Sequence, residues 1–432
     1  RAPRSAPRGL RPGDAALREL LDAAHGRGIR VILDGVFNHT GRGFWAFHHV
    51  LENGKASPYR NWFVIDQAAL DEDRPMDAYP GAADRTPGAG RGPDGGPWRG
   101  DSLAELGYRG WWDLPPLPKL NIAESAVREH LWAVAEHWLR FGIDGWRLDV
   151  PGEIQDPPFW AEFRRRCRAV NPEAYLVGEV WDVDPAWVSG NRFDGLMNYP
   201  LAEAIYGFVG GSALDEELIG SHHEYAKAER LDGPGFAGRL AALLEAYAPA
   251  TRFAQLNLLD SHDTPRLGSL LRDDEPAVEL AVLLQATLPG APCIYYGDEI
   301  GLGGGLDPDN RRAFPWDQRA DWNESRRAFI TAALALRQRE PLLRRGELRV
   351  VAAEAGWLAF DRTLEAGSER LRIVVNAGEE SAAVPLLDGP TSPGRIELLE
   401  LPSSRAELQV EVSGASELRV PPRSGAILRL RP

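Results

Sequence analysis

The chain has 432 residues, 44% of them hydrophobic, and a formal net charge of -14. That length suffices for one large core with a smaller second domain behind it. The acidic balance repels phosphate backbones and anionic lipid, which argues against nucleic acid and membrane surfaces as partners. No apolar run approaches the roughly 20 residues of a membrane helix, and Cys167 and Cys293, the two cysteines, lack a third thiol or CxxC spacing and read as inert core residues.

In chain order, residues 1–13 read as a Pro/Arg-rich leader, disordered or artefactual, without the layout of a signal peptide. A cytoplasmic location is therefore expected. GDAALRELLDAAHGRG (13–28) places apolar residues at helical spacing and ends in Gly, which predicts a helix. Six β-rich segments follow, at 30–36, 145–150, 174–180, 195–199, 254–259 and 292–296. RVILDGV and AYLVGEV are apolar on both faces, as in a parallel sheet covered by helices. Amphipathic stretches at 125–140, 158–170, 275–288 and 324–339 supply those helices.

Such alternation predicts an α/β fold. A (β/α)8 TIM-type barrel is preferred to a doubly wound sheet because acidic and basic residues recur at the C-terminal ends of several strands. A closed barrel has eight strands, and a helix precedes the first of the six, so the expectation is a barrel whose first two βα units lie upstream of Arg1. A Gly, Pro and Trp-rich insertion at 40–112 is too long for an ordinary loop and predicts a subdomain over the barrel mouth. The barrel occupies 14–345. From 346 to 432, short alternating apolar segments separated by Gly, Pro and Ser predict an antiparallel β domain.

Three strand ends carry acids. In GIDGWRLDV, Arg147 stands two residues before Asp149, so strand geometry puts both on one face, and the guanidinium keeps the carboxylate ionised. In LVGEVWD, Glu179 precedes Trp181, whose apolar bulk is expected to favour a protonated carboxyl. In LLDSHDTPR, Asp263 follows a strand with His262 beside it. Singly these are an ion pair, a strand end and a helix cap. Together they are what retaining glycosidic cleavage needs: one acid to attack the sugar, a second holding a proton for the leaving oxygen, and a polar surround.

DGVFNH, GWRLDV, GEVW and LLDSHDTPR resemble, in order and spacing, the four signature regions of the α-amylase family. ILDGVFNHTG, PLPKLN, MNYPL, PCIYYGDEIG and DPDNRR resemble its neopullulanase, cyclomaltodextrinase and maltogenic amylase branch. The resemblance implies that Asp149 is the nucleophile, Glu179 the acid/base and Asp263 the transition-state stabiliser. It also implies that Arg147, His39 and His262 contact the sugar at the cleavage site, with Asp307 and Arg311 gripping the next glucose outward. The implied substrates are α-1,4-linked glucans: maltooligosaccharides, cyclodextrins, starch or pullulan.

Asp34 and Asn38 match positions that are chiefly structural in the family, and Asn38 matches one that ligates calcium in many amylases. The remaining ligands are not identifiable, so no metal site is assigned and no cofactor is expected to be required. His48 and His49 have no third ligand at zinc spacing, and GLGGGLDPDNRR lacks the GxxxxGK[ST] of a phosphate loop. Trp45, Trp62, Trp98, Trp111 and Trp112 are placed in the core of the insertion rather than against sugar rings. VPGEI stands where the branch often has VANE, so Pro151 is expected to reshape the aglycone side.

Members of that branch also carry an N-terminal β domain, often part of a dimer interface, ahead of the first barrel units. The expectation is that residues 1–432 alone fold poorly or show little activity and that the full-length form is a homodimer. The alternatives are an inactive fragment, an amylase-like binding protein, or an α-glucosidase or transglycosylase of the same family.

Overall fold

The computed structural model describes residues 12–80, 101–221, 229–365, 369–385, 395–402, 411–413 and 417–431. It divides into two compact units: Arg1–Val180 with Ala186–Asp194, and Trp181–Pro185 with Gly195–Pro432. Within the leader, residues 1–11 lie outside the described residues, and helix α1 begins at Pro12 and runs to Gly26. Its proline opening, Asp14 in the first turn and His25 in the last follow the preferences of helix ends.

In the first unit, β1 (Ile32–Gly35), α2 (Trp45–Asn53), α3 (Ser125–Phe141), β2 (Gly145–Leu148), α4 (Pro157–Val170) and β3 (Tyr175–Gly178) follow in order. The three strands pair parallel, with Asp34 opposite Arg147 and Arg147 opposite Val177. Gly145 permits the approach of β2 to β3, because a Cβ there would run into the Tyr175 carbonyl. Asp144, just before β2, accepts the Val31 N–H at 2.9 Å and lies 2.7 Å from His25 Nε2, which fastens the end of α1 to the sheet.

β2 is buried along its whole length, as expected of a strand covered on both faces. β1 departs from that expectation, with Ile32 and, just past the strand, Val36 remaining 36% and 45% exposed.

The described parts of the insertion have their own aromatic core. Phe47 packs edge-on against Phe63 and Tyr108, each at 4.9 Å between ring centroids. Of the tryptophans expected in that core, Trp45 is 50% exposed and Trp112 41% exposed, and Trp98 lies outside the described residues.

In the second unit, β4 (Gly195–Leu196), α5 (Tyr199–Val209), α6 (Gly233–Glu245), β5 (Leu256–Leu258), α7 (Glu275–Thr287), β6 (Ala291–Cys293) and α8 (Glu324–Arg339) alternate. Met197, next to β4, bridges Leu256 of β5 in parallel, and β5 pairs parallel with β6. All six strands expected from the sequence are thus present. Helix α7 is buried from Ala277 to Thr287, apolar nearly all round as a helix between two layers must be.

The layer against it is antiparallel. Strands β7 (Glu347–Glu354), β8 (Trp357–Thr363), β9 (Arg370–Asn376), β10 (Ala382–Pro385), β11 (Arg395–Leu398), β12 (Glu411–Ser413), β13 (Glu417–Val420) and β14 (Ser424–Arg431) form two sheets. Their orders are β11-β14-β9-β8-β7 and β10-β13-β12. Trp357, Val374, Val384, Leu418, Val420 and Leu428 fill the space between them. Gly425 of β14 seats this domain on α7, since a Cβ there would collide with Leu283.

Candidate active site

Two clusters of the residues singled out by sequence are found, one in each unit. In the first, parallel register carries Asp34, Arg147, Asp149 and Glu179 to the C-terminal ends of β1, β2 and β3. Arg147, 8% exposed, lies among three carboxylates. Its Nη1 donates to Asp34 Oδ1 and to Asp149 Oδ1, both at 2.9 Å, and its Nη2 forms an ion pair with Glu179 Oε1 at 2.8 Å. Burial by itself depresses a guanidinium, but Glu179, Asp34 and Asp149 together hold Arg147 above its ordinary value.

Glu179 Oε2 accepts the backbone N–H of Val150 at 3.0 Å. That N–H is aimed by an unusual backbone, since Val150 sits at φ 33 and ψ 55, left-handed space that a β-branched residue enters only at a cost of about 1–3 kcal/mol. Pro151 then opens a short 3-10 turn, Pro151–Glu153, whose Glu153 meets Lys119 of the PLPKLN segment at 2.7 Å. Neither Val150 nor the Glu153–Lys119 pair stood out in the sequence. The GEI spacing after Pro151 was the available signal for the second.

Trp181 was expected to give Glu179 an apolar neighbour that favours its protonated form. The Trp181 ring stacks on Tyr199 at 3.6 Å between centroids, both in the second unit. Glu179 Oε1 faces the Arg147 guanidinium and Oε2 the Val150 N–H.

His39 forms a separate stack. Its ring stacks nearly parallel on Trp111, 4.7 Å between centroids, and Trp111 stacks in turn on Trp112 at 4.7 Å. Burial pushes the imidazole down to about 4, so it is neutral at pH 7, with Glu153 opposing that shift and Lys119 assisting it.

In the second unit the loop after β5 carries His262 and Asp263, and the DPDNRR turn carries Asp307 and Arg311. These four converge. His262 Nε2 is 3.1 Å from Asp263 Oδ2, and Arg311 reaches Asp263 Oδ1 at 3.1 Å and Asp307 Oδ1 at 2.8 Å. Arg311 Nε also donates to the His262 carbonyl at 2.9 Å. Asn310, fully buried, donates to the carbonyls of His262 at 2.7 Å and Thr264 at 2.8 Å and fixes the loop from beneath. Asn310 did not stand out in the DPDNRR motif.

The calcium that Asn38 suggested fails a test of fit. Asn38 Oδ1 is buried without a hydrogen-bond partner, yet among the described residues no group of three or more His, Cys, Asp or Glu is placed to hold a metal. Calcium takes about six to eight oxygens, and one amide oxygen without a carboxylate cluster does not build that shell. His48 pairs with Glu52 at 3.1 Å and His49 with Ser57 at 2.8 Å. Cys167 and Cys293 are pushed up to about 12 and about 11 by burial, which leaves both as inert thiols. Among the described residues no helix is long and apolar enough to cross a membrane.

Comparison with known proteins gives the setting for these clusters. The model of the alpha amylase catalytic domain matches residues 13–343. The chain is 38% identical over 373 residues to a cyclomaltodextrinase of Geobacillus thermopakistaniensis (strain MAS1), covering 86% of the chain and 55% of that protein. It is 36% identical over 381 residues to neopullulanase 2 of Thermoactinomyces vulgaris, covering 88% and 56%. The chain therefore spans little more than half the length of these relatives.

The native-form structure of the Nostoc punctiforme debranching enzyme superposes with a TM-score of 0.81 at 41% identity, covering 97% of this chain and 79% of that one. The fold class is that of a TIM-type α/β barrel with a C-terminal antiparallel β domain. From the catalytic-domain match over residues 13–343 and the shared order of its four motifs, this chain belongs to the α-amylase family.

Proposed function

We propose that the protein is a retaining glycoside hydrolase that cleaves α-1,4-glucosidic bonds of maltooligosaccharides, cyclodextrins, starch or pullulan by double displacement. The observation that carries this reading is Arg147 held between Asp149 and Glu179. Two acids tied to one guanidinium can serve the two sides of one scissile bond.

Asp149, accepting a hydrogen bond from Arg147, is the nucleophile. It attacks the anomeric carbon while Glu179 gives a proton to the leaving oxygen, and Glu179 then takes a proton from the water that hydrolyses the glycosyl ester. Double displacement requires one of the two acids to hold a proton as the substrate binds. The assigned roles put that proton on Glu179, which must leave Arg147 to donate it.

Asp263 is the third carboxylate and His262, His39, Asp307 and Arg311 are sugar contacts. Neutral His39 offers a hydrogen bond without adding charge. The names of the curated relatives, a cyclomaltodextrinase and a neopullulanase, support the substrate class. A cytoplasmic location and a homodimeric full-length form belong to the same proposal, tested by cell fractionation and sedimentation.

A second reading, cleavage at α-1,6 branch points, is favoured by the likeness to a structure described as a debranching enzyme. Product analysis on pullulan separates the two, because α-1,4 cleavage releases panose and α-1,6 cleavage releases maltotriose. Panose that disappears with Asp149→Asn supports the first reading, and maltotriose alone overturns it. Finding neither product, nor any from starch or cyclodextrin, returns the chain to an amylase-like binding protein.

A further inference from the structure

Glu179 is held by both of its oxygens, and the two holds differ in kind. Arg147 Nη2 meets Oε1 at 2.8 Å through a side chain that can turn. The Val150 N–H donates to Oε2 at 3.0 Å from the main chain, and Val150 directly follows the proposed nucleophile. One peptide unit therefore joins the nucleophile to the contact that holds the acid/base.

What keeps that N–H in place is a turn anchored at both ends. Upstream, the Asp149 N–H donates to the Gly35 carbonyl at 3.1 Å, which ties the end of β2 to β1. Downstream, the N–H groups of Glu153 and Ile154 donate to the carbonyls of Val150 and Pro151 at 3.0 and 3.1 Å. Glu153 meets Lys119 at 2.7 Å, and the ring N–H of the buried Trp160 donates to the Ile154 carbonyl at 3.1 Å. Between these anchors Val150 takes φ 33 and ψ 55, and Pro151 after it disfavours the right-handed alternative. A β-branched residue enters such a conformation only where its surroundings leave it no other.

We propose that Val150 is the positioning residue of the acid/base: its main-chain N–H is the fixed point about which Glu179 moves, and it directs the catalytic proton to Oε1. A protonated carboxyl accepts a hydrogen bond best through its carbonyl oxygen. With Oε2 accepting the Val150 N–H, the proton resides on Oε1, the oxygen that must leave Arg147. The carboxyl then turns about the Oε2 contact toward the leaving oxygen, and returns to Arg147 once the proton is given. Val150 acts through Glu179 and does not itself touch the reacting atoms. The proposal rests on the reading of Glu179 as acid/base, and the test has one readout that does not depend on activity.

That readout is amide hydrogen exchange at Val150, followed by NMR in protein labelled at valine. Exchange is expected to be slow in the wild type and at least about tenfold faster in Glu179→Asp, whose shorter carboxylate draws back from the N–H. Kinetics supplies the second readout. Replacing the amide between Asp149 and Val150 by an ester, with α-hydroxyisovaleric acid in place of Val150, removes the N–H and keeps the side chain. Fluoride is a weak base and leaves with little help from an acid, whereas a departing sugar needs the proton. The ester is expected to lower kcat/KM on maltotriose at least about tenfold more than on α-maltosyl fluoride. Val150→Gly keeps the N–H and enters left-handed space freely, so its ratio of the two constants is expected to stay within about threefold of wild type.

Should the ester-linked protein fail to fold, the exchange measurement and Val150→Gly still decide. A Val150 N–H that exchanges no faster in Glu179→Asp overturns the proposal. So does an equal fall on both substrates in the ester-linked protein, or a ratio shifted well beyond threefold in Val150→Gly. A Val150 N–H protected through Glu179 in a protein that cleaves neither substrate overturns the functional reading and leaves the contact standing.

Discussion

Arg147 limits how far the first-unit cluster can be altered. It is the cation shared by Asp34, Asp149 and Glu179, so Arg147→Met leaves carboxylates in a largely buried site without compensation. The expected cost is about 3–5 kcal/mol of stability, read from urea unfolding. Asp149→Asn and Glu179→Gln keep shape and are expected to leave the unfolding midpoint nearly unchanged while lowering kcat/KM at least about a hundredfold. An unfolding midpoint that falls as far as the rate would assign both acids to structure.

His39 offers a pH test at the same scale. Its folded value near 4 lies below the ordinary 6.5, so its contribution to stability is present above pH 6.5 and lost as pH falls through 4. His39→Phe is expected to flatten the dependence of Tm on pH across that window. Asp149, Glu179, Asp263, Arg147 and His262 were legible in sequence because each sits in a short motif at a strand end. Val150 was not, because its role lies in a φ angle that a valine rarely adopts.

Helix α7 shows the same contrast one level up. Its existence was legible, since 275–288 is a long apolar stretch opened by an Asp that caps Ala277. What clamps it was not. At its N-terminus Asp274 takes a two-pronged contact from Arg423, at 2.6 and 3.0 Å. At its C-terminus Arg337 donates to the carbonyls of Ala286 at 2.8 Å and Leu288 at 3.0 Å, and Arg362 donates to those of Thr287 and Gly346. Cations suit the negative end of a helix.

Both arginines are buried, and burial pushes them down to about 10 and about 9, yet the carbonyls still hold their charge at neutral pH. Arg362→Met is expected to destabilise by about 2–4 kcal/mol, since it leaves buried carbonyls without donors. Chemical unfolding measures it, and a change below about 0.5 kcal/mol would mean that the β domain is not fastened to α7 through this side chain. The strands followed the opposite pattern to the clamps. Their apolar runs and the Gly or Asp at their ends marked all six positions, while the exposure of Ile32 on β1 and of Val36 just past it could not be read from a run that is apolar on both faces.

Across the whole molecule, the order of motifs along the chain was the strongest signal. DGVFNH, GWRLDV, GEVW and LLDSHDTPR each span the C-terminal end of a strand, β1, β2, β3 and β5 in turn. That is where a parallel α/β architecture collects the chemistry of distant segments. The antiparallel domain was legible from its alternation, but its seating on α7 through Gly425 depends on a close approach that no local pattern encodes. The surroundings of Asp149 and Glu179, on which the proposed roles depend, are likewise set by tertiary contacts, because the motifs supply both acids and only the fold says what each one meets.

The most direct measurement is peptide mapping by mass spectrometry after reaction with a fluorinated maltosyl donor that forms the glycosyl ester quickly and releases it slowly. The expected result is one maltosyl mass on the peptide containing Asp149, absent from Asp149→Asn, with first-formed products in the α configuration. A label on Glu179 or Asp263, or first-formed products in the β configuration, would contradict it.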